Sequence, residues 1–409
     1  MKKNIFELKT HQLKGIATSL KNEVEKGLEK DKMEILCLPT YINPKKNITN
    51  GKALVLDLGG TNYRAAIIEF VDGQPVIHPE NGFQKNLSIM KEPSFTRENL
   101  FQEIADLISE LNLEGVKSIG YCFSYPAEPM LNGDAKLIRW TKGVGIKEMI
   151  DDLIGEPLLE YLNKRLEKAN FTSIKVINDT IASLFAGLTD KEAQAHIGLI
   201  VGTGTNMATF IHADKIKKLN PDYKQKGLVP INLESGNFRP PFLNVIDDKV
   251  DKYSDSRGAQ RFEKAISGMY LGRILEYYFS GDEFPTNFDA RMLTNIMSYP
   301  DMYKRRYVRV AHWIYERSAK LVAASIAGLV LVLVSHDKSI KKIRLTAEGS
   351  LFWSEDSEDK KNDKYKCYKD LVLDELYNLL KEFGHSGIEI FVDKKDNANL
   401  IGSAIAALS

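Results

Sequence analysis

Three short segments carry residue types able to move a phosphoryl group. The first, Asp57-Leu58-Gly59-Gly60-Thr61-Asn62, closes an apolar run and opens another. Glycines at such a strand-to-strand turn let backbone N–H groups approach phosphate oxygens with no Cβ in the way. An aspartate at the strand end can hold magnesium through its water shell. The second, Gly202-Thr203-Gly204-Thr205-Asn206, repeats the design after the apolar strand IGLIV. The third is Asn178-Asp179-Thr180, where a carboxylate at a strand end and helix start can accept the proton of an attacking hydroxyl, as phosphoryl transfer to an alcohol requires. Each has a plainer reading: a tight turn for either glycine pair, a helix cap for Asp179-Thr180. Two glycine hairpins in separate halves of the chain can grip a triphosphate between them, which one turn cannot, and the pair favours the chemical reading. No GxxxxGK[ST] occurs, which argues against a P-loop NTPase.

These segments need strands to end beside them. ALVLDLGGTNYRAAIIEF reads as two β-rich runs joined by Gly59-Gly60, with a further exposed turn at Val71-Asp72-Gly73 and a first domain starting near Ala53. A helix around Thr96 to Leu113 precedes the strand VKSIGYCFSYP and a polar loop ending in RWTKGVG. IKVINDTIASLFAG is a strand turning into a helix, and HIGLIVGTGTNMATFI is the second hairpin. Alternating strands and helices predict an α/β fold, and two hairpins of similar design suggest two related domains. Beyond Asp255 the pattern is mainly helical, with RFEKAISGMYLGRILEYYF expected as one long helix and YVRVAHWIYERSAKLVAASIAGLVLVLV as another. Before the first hairpin, an amphipathic helix is expected from about Asn4 to Lys32.

At 409 residues the chain has room for two domains with sizeable cores. Lys and Arg number 56 against 55 Asp and Glu, so no broad basic face is offered to nucleic acid, and small molecules are the expected partners. Cys37, Cys122 and Cys367 are far apart with no CxxC pair, which suggests neither a disulfide framework nor a zinc site and fits a reducing cytoplasm. The charged N-terminus lacks the apolar core of a secretory signal. The longest apolar run, LVAASIAGLVLVLV, falls short of the roughly 20 residues that cross a bilayer, so a buried helix and no membrane partner are expected.

LVLDLGGTNYR, FSYPAEP followed by WTKGVG, INDTIASL, GLIVGTGTN, INLESGNF and FEKAISGMYLG occur in an order and spacing that resemble the hexokinase and glucokinase family, together with a glycine-serine turn at AEGSLFW. The motifs are short, but the series spans the chain from about residue 53 to the C-terminus. The resemblance implies a two-domain, actin-like (ribonuclease H-like) α/β fold with a cleft between two lobes. The small lobe would be residues 53–176 plus 400–409, the large lobe 1–47 plus 177–399. It implies a single catalytic unit that transfers the γ-phosphoryl group of ATP to the 6-hydroxyl of glucose or a related hexose, with Mg2+, as a first step of sugar metabolism.

Carried over motif by motif, Asp179 resembles the catalytic base, and Ser124, Thr141, Lys142, Asn178, Asp179, Asn206, Glu234 and Glu263 the sugar ligands. Lys142 would also bring positive charge to the hydroxymethyl group during transfer. Amide and carboxylate side chains suit a ring of hydroxyls, each both donor and acceptor. Asp57, Gly59, Gly60, Thr61, Asn62 and Arg64 are similar to the first phosphate site, with Asp57 the magnesium residue through water. Gly202 and Thr203 are similar to the second phosphate site, and Gly349 and Ser350 to the adenosine turn. The chain departs from the family at Tyr125-Pro126-Ala127-Glu128-Pro129, at Glu348 in place of an aspartate, and at Asp396-Asn397-Ala398-Asn399-Leu400-Ile401-Gly402 in place of a glycine-rich turn. Two other readings compete. A sugar sensor of the same fold with little or no turnover would have lost the base, the lysine or a hairpin. A nucleotide-driven chaperone or filament protein would lack the WTKG, NDT and glutamate residues.

Overall fold

In the computed structural model the described residues are 4–44, 48–59, 62–141, 143–167, 169–189, 193–285, 288–354 and 367–409; Gly60, Thr61 and Lys142 lie outside them. The chain opens with helix α1 (Thr10–Glu29) and strand β1 (Leu38–Pro39), so the first helix starts later than its amphipathic pattern predicts. Strands β2 (Gly51–Leu58), β3 (Asn62–Val71) and β4 (Gln74–Asn86) follow as an antiparallel meander. Helix α2 (Arg97–Ile108) begins at a capping box, in which the Thr96 hydroxyl accepts from the Asn99 amide and the Asn99 side chain accepts from the Thr96 amide. Next come β5 (Ser118–Phe123), the short pair β6 (Ala127–Pro129) and β7 (Ala135–Leu137), helix α3 (Gly155–Arg165) and strand β8 (Ser173–Ile177). Among the described residues these give a five-stranded sheet in the order β4-β3-β2-β5-β8, with β2, β5 and β8 parallel.

Helix α4 (Asp179–Ala186) leads to β9 (Ala195–Val201), β10 (Thr205–His212) and β11 (Leu228–Asn232). Among the described residues five helices follow: α5 (Val245–Lys252), α6 (Arg261–Ile266), α7 (Gly268–Tyr278), α8 (Ala290–Ser298) and α9 (Arg305–His336). Strand β12 (Lys342–Glu348), helix α10 (Tyr368–Glu382), strand β13 (Glu389–Asp393) and helix α11 (Ala398–Ala407) finish the chain. The second sheet runs β1-β11-β10-β9-β12-β13, with β9, β12 and β13 parallel.

Each sheet has its own apolar core, and a third lies between them, made of inner-face residues such as Val55, Ile68 and Ala208 with Ile181, Phe185, Leu400 and Ile405. Helices α4 and α11 fill that middle layer. They approach so closely that a Cβ on Gly402 would overlap the Ala182 backbone, and one on Gly120 of β5 would overlap the Ser403 carbonyl. The expected lobe limits at 53, 176 and 400 fall inside β2, β8 and α11. Helix α9 is long and apolar enough to cross a membrane, but 83% of its apolar window is buried inside the protein. Its later part, Leu321 to Val334, is apolar on every face and nearly all buried, as a helix surrounded by other elements should be.

The helix expected across RFEKAISGMYLGRILEYYF is broken. Ser267 is extended (φ −81°, ψ 158°) between α6 and α7, and Gly268 donates its N–H to the Gly202 carbonyl at 2.7 Å. That bond to the second hairpin turns the chain, and helical periodicity carries no sign of it.

Candidate active site

Parallel pairing of β2, β5 and β8 aligns Asp57 with Cys122 and Cys122 with Ile177, so the three strands end side by side. That edge delivers Asp57, then Ser124, then Asn178 and Asp179, the position at which parallel sheets hold ligands. The Ser124 amide donates to the Leu58 carbonyl at 3.2 Å and the Tyr125 hydroxyl to the Gly59 carbonyl at 2.6 Å, so the first hairpin is anchored to the strand beside it. Tyr125 packs edge-on to Trp140 with centroids 4.7 Å apart, and the Trp140 Nε1–H donates to the Ile146 carbonyl at 2.7 Å. This aromatic pair fixes the segment that carries Thr141. The Thr141 carbonyl accepts the Val144 amide at 3.1 Å.

Asn178 is the N-cap of α4, its side chain accepting the Thr180 N–H at 2.8 Å. The capping duty expected of Asp179 therefore falls mainly to its neighbour. Asp179 Oδ1 also accepts from the Thr180 amide (2.8 Å) and hydroxyl (3.2 Å), while its Oδ2 makes no hydrogen bond among the described residues.

On the second sheet, β10 starts with Thr205 and Asn206, and β11 ends at Asn232. The Asn206 side-chain amide donates to Asn232 Oδ1 at 2.7 Å, and Asn232 Nδ2 donates to Glu234 Oε1 at 2.8 Å. Asn206 Oδ1 in turn accepts the Met207 and Ser235 amides at 2.8 and 3.1 Å. Glu234 sits in left-handed backbone (φ 56°). Burial pushes its carboxyl pKa up; the Asn232 hydrogen bond opposes this, the Asp179 charge adds to it and the Arg139 charge opposes it. Glu263, in the first turn of α6, accepts the Thr205 N–H at 3.0 Å through Oε2, an oxygen only 2.6 Å from where a Cβ on Gly204 would lie.

Gly202 and Thr203 form the turn between β9 and β10, and their carbonyls accept from Gly268 (2.7 Å) and Met269 (3.3 Å) at the start of α7. Gly349, with φ +105°, places its turn directly against the end of β9. Thr203 and Ser350 are exposed. Arg64 binds Asp57 Oδ2 through Nη2 at 2.9 Å and Asn397 Oδ1 through Nη1 at 2.7 Å, and Asn399 Nδ2 lies 3.4 Å from Asp57 Oδ1. Glu348, at the end of β12, has its pKa pushed up to about 7, by burial first and by the Asp396 charge second; the Lys394 and Arg64 charges oppose this and the Asp179 charge adds to it.

These charges converge on one carboxylate. Asp179 is felt by Glu234 and Glu348 and, with Asp57, by the buried thiol of Cys122, whose pKa burial raises first and the two aspartates raise further. The first hairpin, the end of β8, the Asn206–Glu234 chain and the Glu348–Gly349 turn thus share one neighbourhood. Among the described residues no hydrogen bond or ion pair ties Thr141, Thr203 or Ser350 to Asp179. Among the described residues no three His, Cys, Asp or Glu side chains are grouped to hold a metal. Asp57, at the end of β2 beside the first hairpin, is a carboxylate that could reach the water shell of an ion carried in on phosphates.

Sequence reasoning missed Asn232, Arg139, Asn397 and Asn399. The first stood in the INLE motif beside Glu234, and the last two stood in the departure from the family's glycine-rich turn. A cavity of about 100 Å³ lined by His196, His212 and His336 contains none of these residues. It lies at the other end of β9 and β10, beside His196 and His212, and the converging polar groups outweigh it as a sign of chemistry.

Two family models, both described as hexokinase, match residues 2–188 and 196–280. Mouse Hexokinase-1 is 32% identical over 286 residues, which cover 66% of this chain and 28% of that protein. Human Hexokinase HKDC1 is 33% identical over 290 residues, covering 66% of this chain and 30% of its own. The aligned region is thus less than a third of the length of either relative. Among solved structures, the hexokinase from Schistosoma mansoni complexed with glucose superposes with a TM-score of 0.78 at 25% identity, covering 99% of this chain and 97% of that one.

Proposed function

This chain belongs to the hexokinase family, and from that premise we propose that it transfers the γ-phosphoryl group of ATP to the 6-hydroxyl of glucose or a close relative. The fold is the two-lobed, actin-like sugar-kinase fold. The observation that carries the proposal is the strand-end register that sets Asp57 and the first hairpin beside Asn178-Asp179, with the Asn206–Asn232–Glu234 hydrogen-bonding chain of the other sheet near enough for the Asp179 charge to act on Glu234.

In this reading Asp179 Oδ2 accepts the proton of the 6-hydroxyl as the phosphoryl group arrives. Ser124, Thr141, Lys142, Asn178, Asn206, Glu234 and Glu263 hold the sugar. Arg64 leaves Asp57 and Asn397 for the phosphates, and the turns at Gly59, Gly202 and Gly349 let the nucleotide approach the backbone. Gly60, Thr61 and Asn62 complete the first phosphate turn, Thr203 the second, and Ser350 flanks the adenosine. Magnesium, when bound, would neutralise charge on the phosphates, with Asp57 orienting one of its waters. Residues 53–176 with 400–409 form the small lobe and the rest the large one; sugar bridges them and closes the cleft, excluding water that would otherwise accept the phosphoryl group. Cys37 and Cys122, both buried free thiols, suit work in a reducing cytoplasm.

A coupled assay with ATP and magnesium over a panel of hexoses tests this directly. Turnover on at least one hexose is expected, with the phosphate on the 6-hydroxyl. Sugar binding with no turnover on any hexose would leave a sensor, and neither binding nor turnover would remove the reading altogether.

A further inference from the structure

Glu263 sits on a helix too short to hold itself. Helix α6 has six residues, well below the length at which a helix is stable alone, so its orientation must come from its surroundings. On one side the Ser318 hydroxyl of α9 donates to the Ile266 carbonyl at 2.8 Å. On the other side stands Lys264, whose side chain is 2% exposed. Its ammonium donates to Asp251 Oδ1 at 2.7 Å, to the Ser256 carbonyl at 2.6 Å and to the Ala259 carbonyl at 2.8 Å. All three of its donors are therefore used.

Asp251, on α5, completes the arrangement by accepting the Gly258 N–H at 3.0 Å and facing Arg261 Nη1 at 3.2 Å. The loop 253–260 is thus held by two carbonyls and one amide. It feeds into α6 through Gln260, which is in left-handed backbone (φ 52°). Buried ammonium groups carry a large desolvation penalty, and an apolar side chain would fill the same space without it. What the lysine supplies is three oxygens fixed at known places. Glu263 and Lys264 are neighbours, about 100° apart around the helix axis, so anchoring one on the loop sets where the other points.

We infer that Lys264, with Asp251, is the positioning residue for the sugar site: it fixes the loop 253–260 and the roll of α6 so that the Glu263 carboxylate rests on the Thr205 amide. Lys264 itself touches no sugar. The inference rests on Glu263 as a sugar ligand, and it predicts an effect on sugar affinity that loss of stability alone does not produce. A misplacement of about 1 Å in a ligating group can cost on the order of 10²-fold.

The test is Lys264→Met, assayed for glucose affinity by tryptophan fluorescence and for turnover at saturating sugar. The expected result is a rise of roughly 10- to 100-fold in Kd and KM for glucose, with the KM for ATP unchanged and kcat far less affected. A purely structural lysine would lower the melting midpoint and the active fraction while leaving KM at its wild-type value. Lys264→Met/Asp251→Asn removes the carboxylate charge left without its lysine, though still beside Arg261 and Gly258, and serves where the single variant does not fold. It should regain melting temperature relative to the single variant, yet keep the raised KM, because the Ser256 and Ala259 carbonyls still lack their donor. Wild-type glucose KM in either folded variant overturns the inference. A wild-type protein that neither binds nor phosphorylates a hexose overturns the reading beneath it, and this inference with it.

Discussion

The proposed sugar side and the proposed nucleotide side of the site are built differently. On the sugar side the side chains hold one another. Asn206 reaches Asn232, Asn232 reaches Glu234, and Glu263 rests on a backbone amide. On the nucleotide side the groups are either exposed turns, as at Thr203 and Ser350, or charges engaged with partners that a phosphate would replace, as with Arg64 between Asp57 and Asn397. The difference teaches where specificity resides. In the proposed function a neutral ring of hydroxyls would be read by fixed, satisfied neighbours whose geometry costs nothing further to set. A triphosphate brings enough charge to displace an internal ion pair.

Removing Arg64 should strike the nucleotide side hardest. Arg64→Met takes away charge-assisted hydrogen bonds of about 1.5–3 kcal/mol each, so the KM for ATP should rise roughly 10- to 100-fold while glucose affinity stays within about twofold of wild type. Steady-state kinetics with each substrate varied in turn checks this, and a matching rise in glucose Kd would merge the two sides.

Asn232→Ala should do the reverse. It leaves Glu234 Oε1 and the Asn206 amide without their shared partner, at about 1–2 kcal/mol. Glucose KM is expected to rise roughly 5- to 30-fold, with ATP KM unmoved. Glucose titration followed by intrinsic fluorescence reads it, and unchanged affinity would show that the chain from Asn206 to Glu234 serves only packing.

A smaller effect sharpens the comparison through pH. Glu348 titrates at about 7 in the folded protein against an ordinary 4.5. Between those values the folded state binds the extra proton, so stability declines as pH rises from about 4.5 to about 7 and the loss is complete above that window. Glu348→Gln removes the loss. Its melting midpoint should exceed that of wild type at pH 8, by on the order of 2 °C, and match it closely at pH 5. Equal midpoints at both pH values would mean that Glu348 ionises freely.

Much of this was legible in the residues, and the illegible parts share a cause. The two glycine hairpins, the strand-to-helix turn at Asn178-Asp179 and the alternation of strands and helices are local patterns, and the structure has them all. The break at Ser267 was not legible, because it is set by Gly202, a residue 65 positions earlier (267 − 202). Asn232 stood in the INLESGNF motif with no role assigned to it; only pairing of β10 with β11 brings it beside Asn206. Lys264 stood in the FEKAISGMYLG motif with no role assigned to it, although it is buried against a loop eight residues back and a helix before that. The lobe to which α11 relates was expected from resemblance alone, and its close packing on both α4 and β5 is a matter of missing Cβ atoms at Gly402 and Gly120 that no period in the sequence announces.

The measurement that bears most directly on the account is kcat for Asp179→Ala, taken on protein shown to be folded by its melting curve, alongside its glucose affinity. Asn178 remains to cap α4 and the Asn206–Asn232–Glu234 chain remains to hold the sugar. The account predicts a fall in kcat of about 10²- to 10⁴-fold, with glucose binding weakened but measurable. A near-native kcat in the folded variant would contradict it, because the carboxylate on which both sides converge would then have no part in the chemistry.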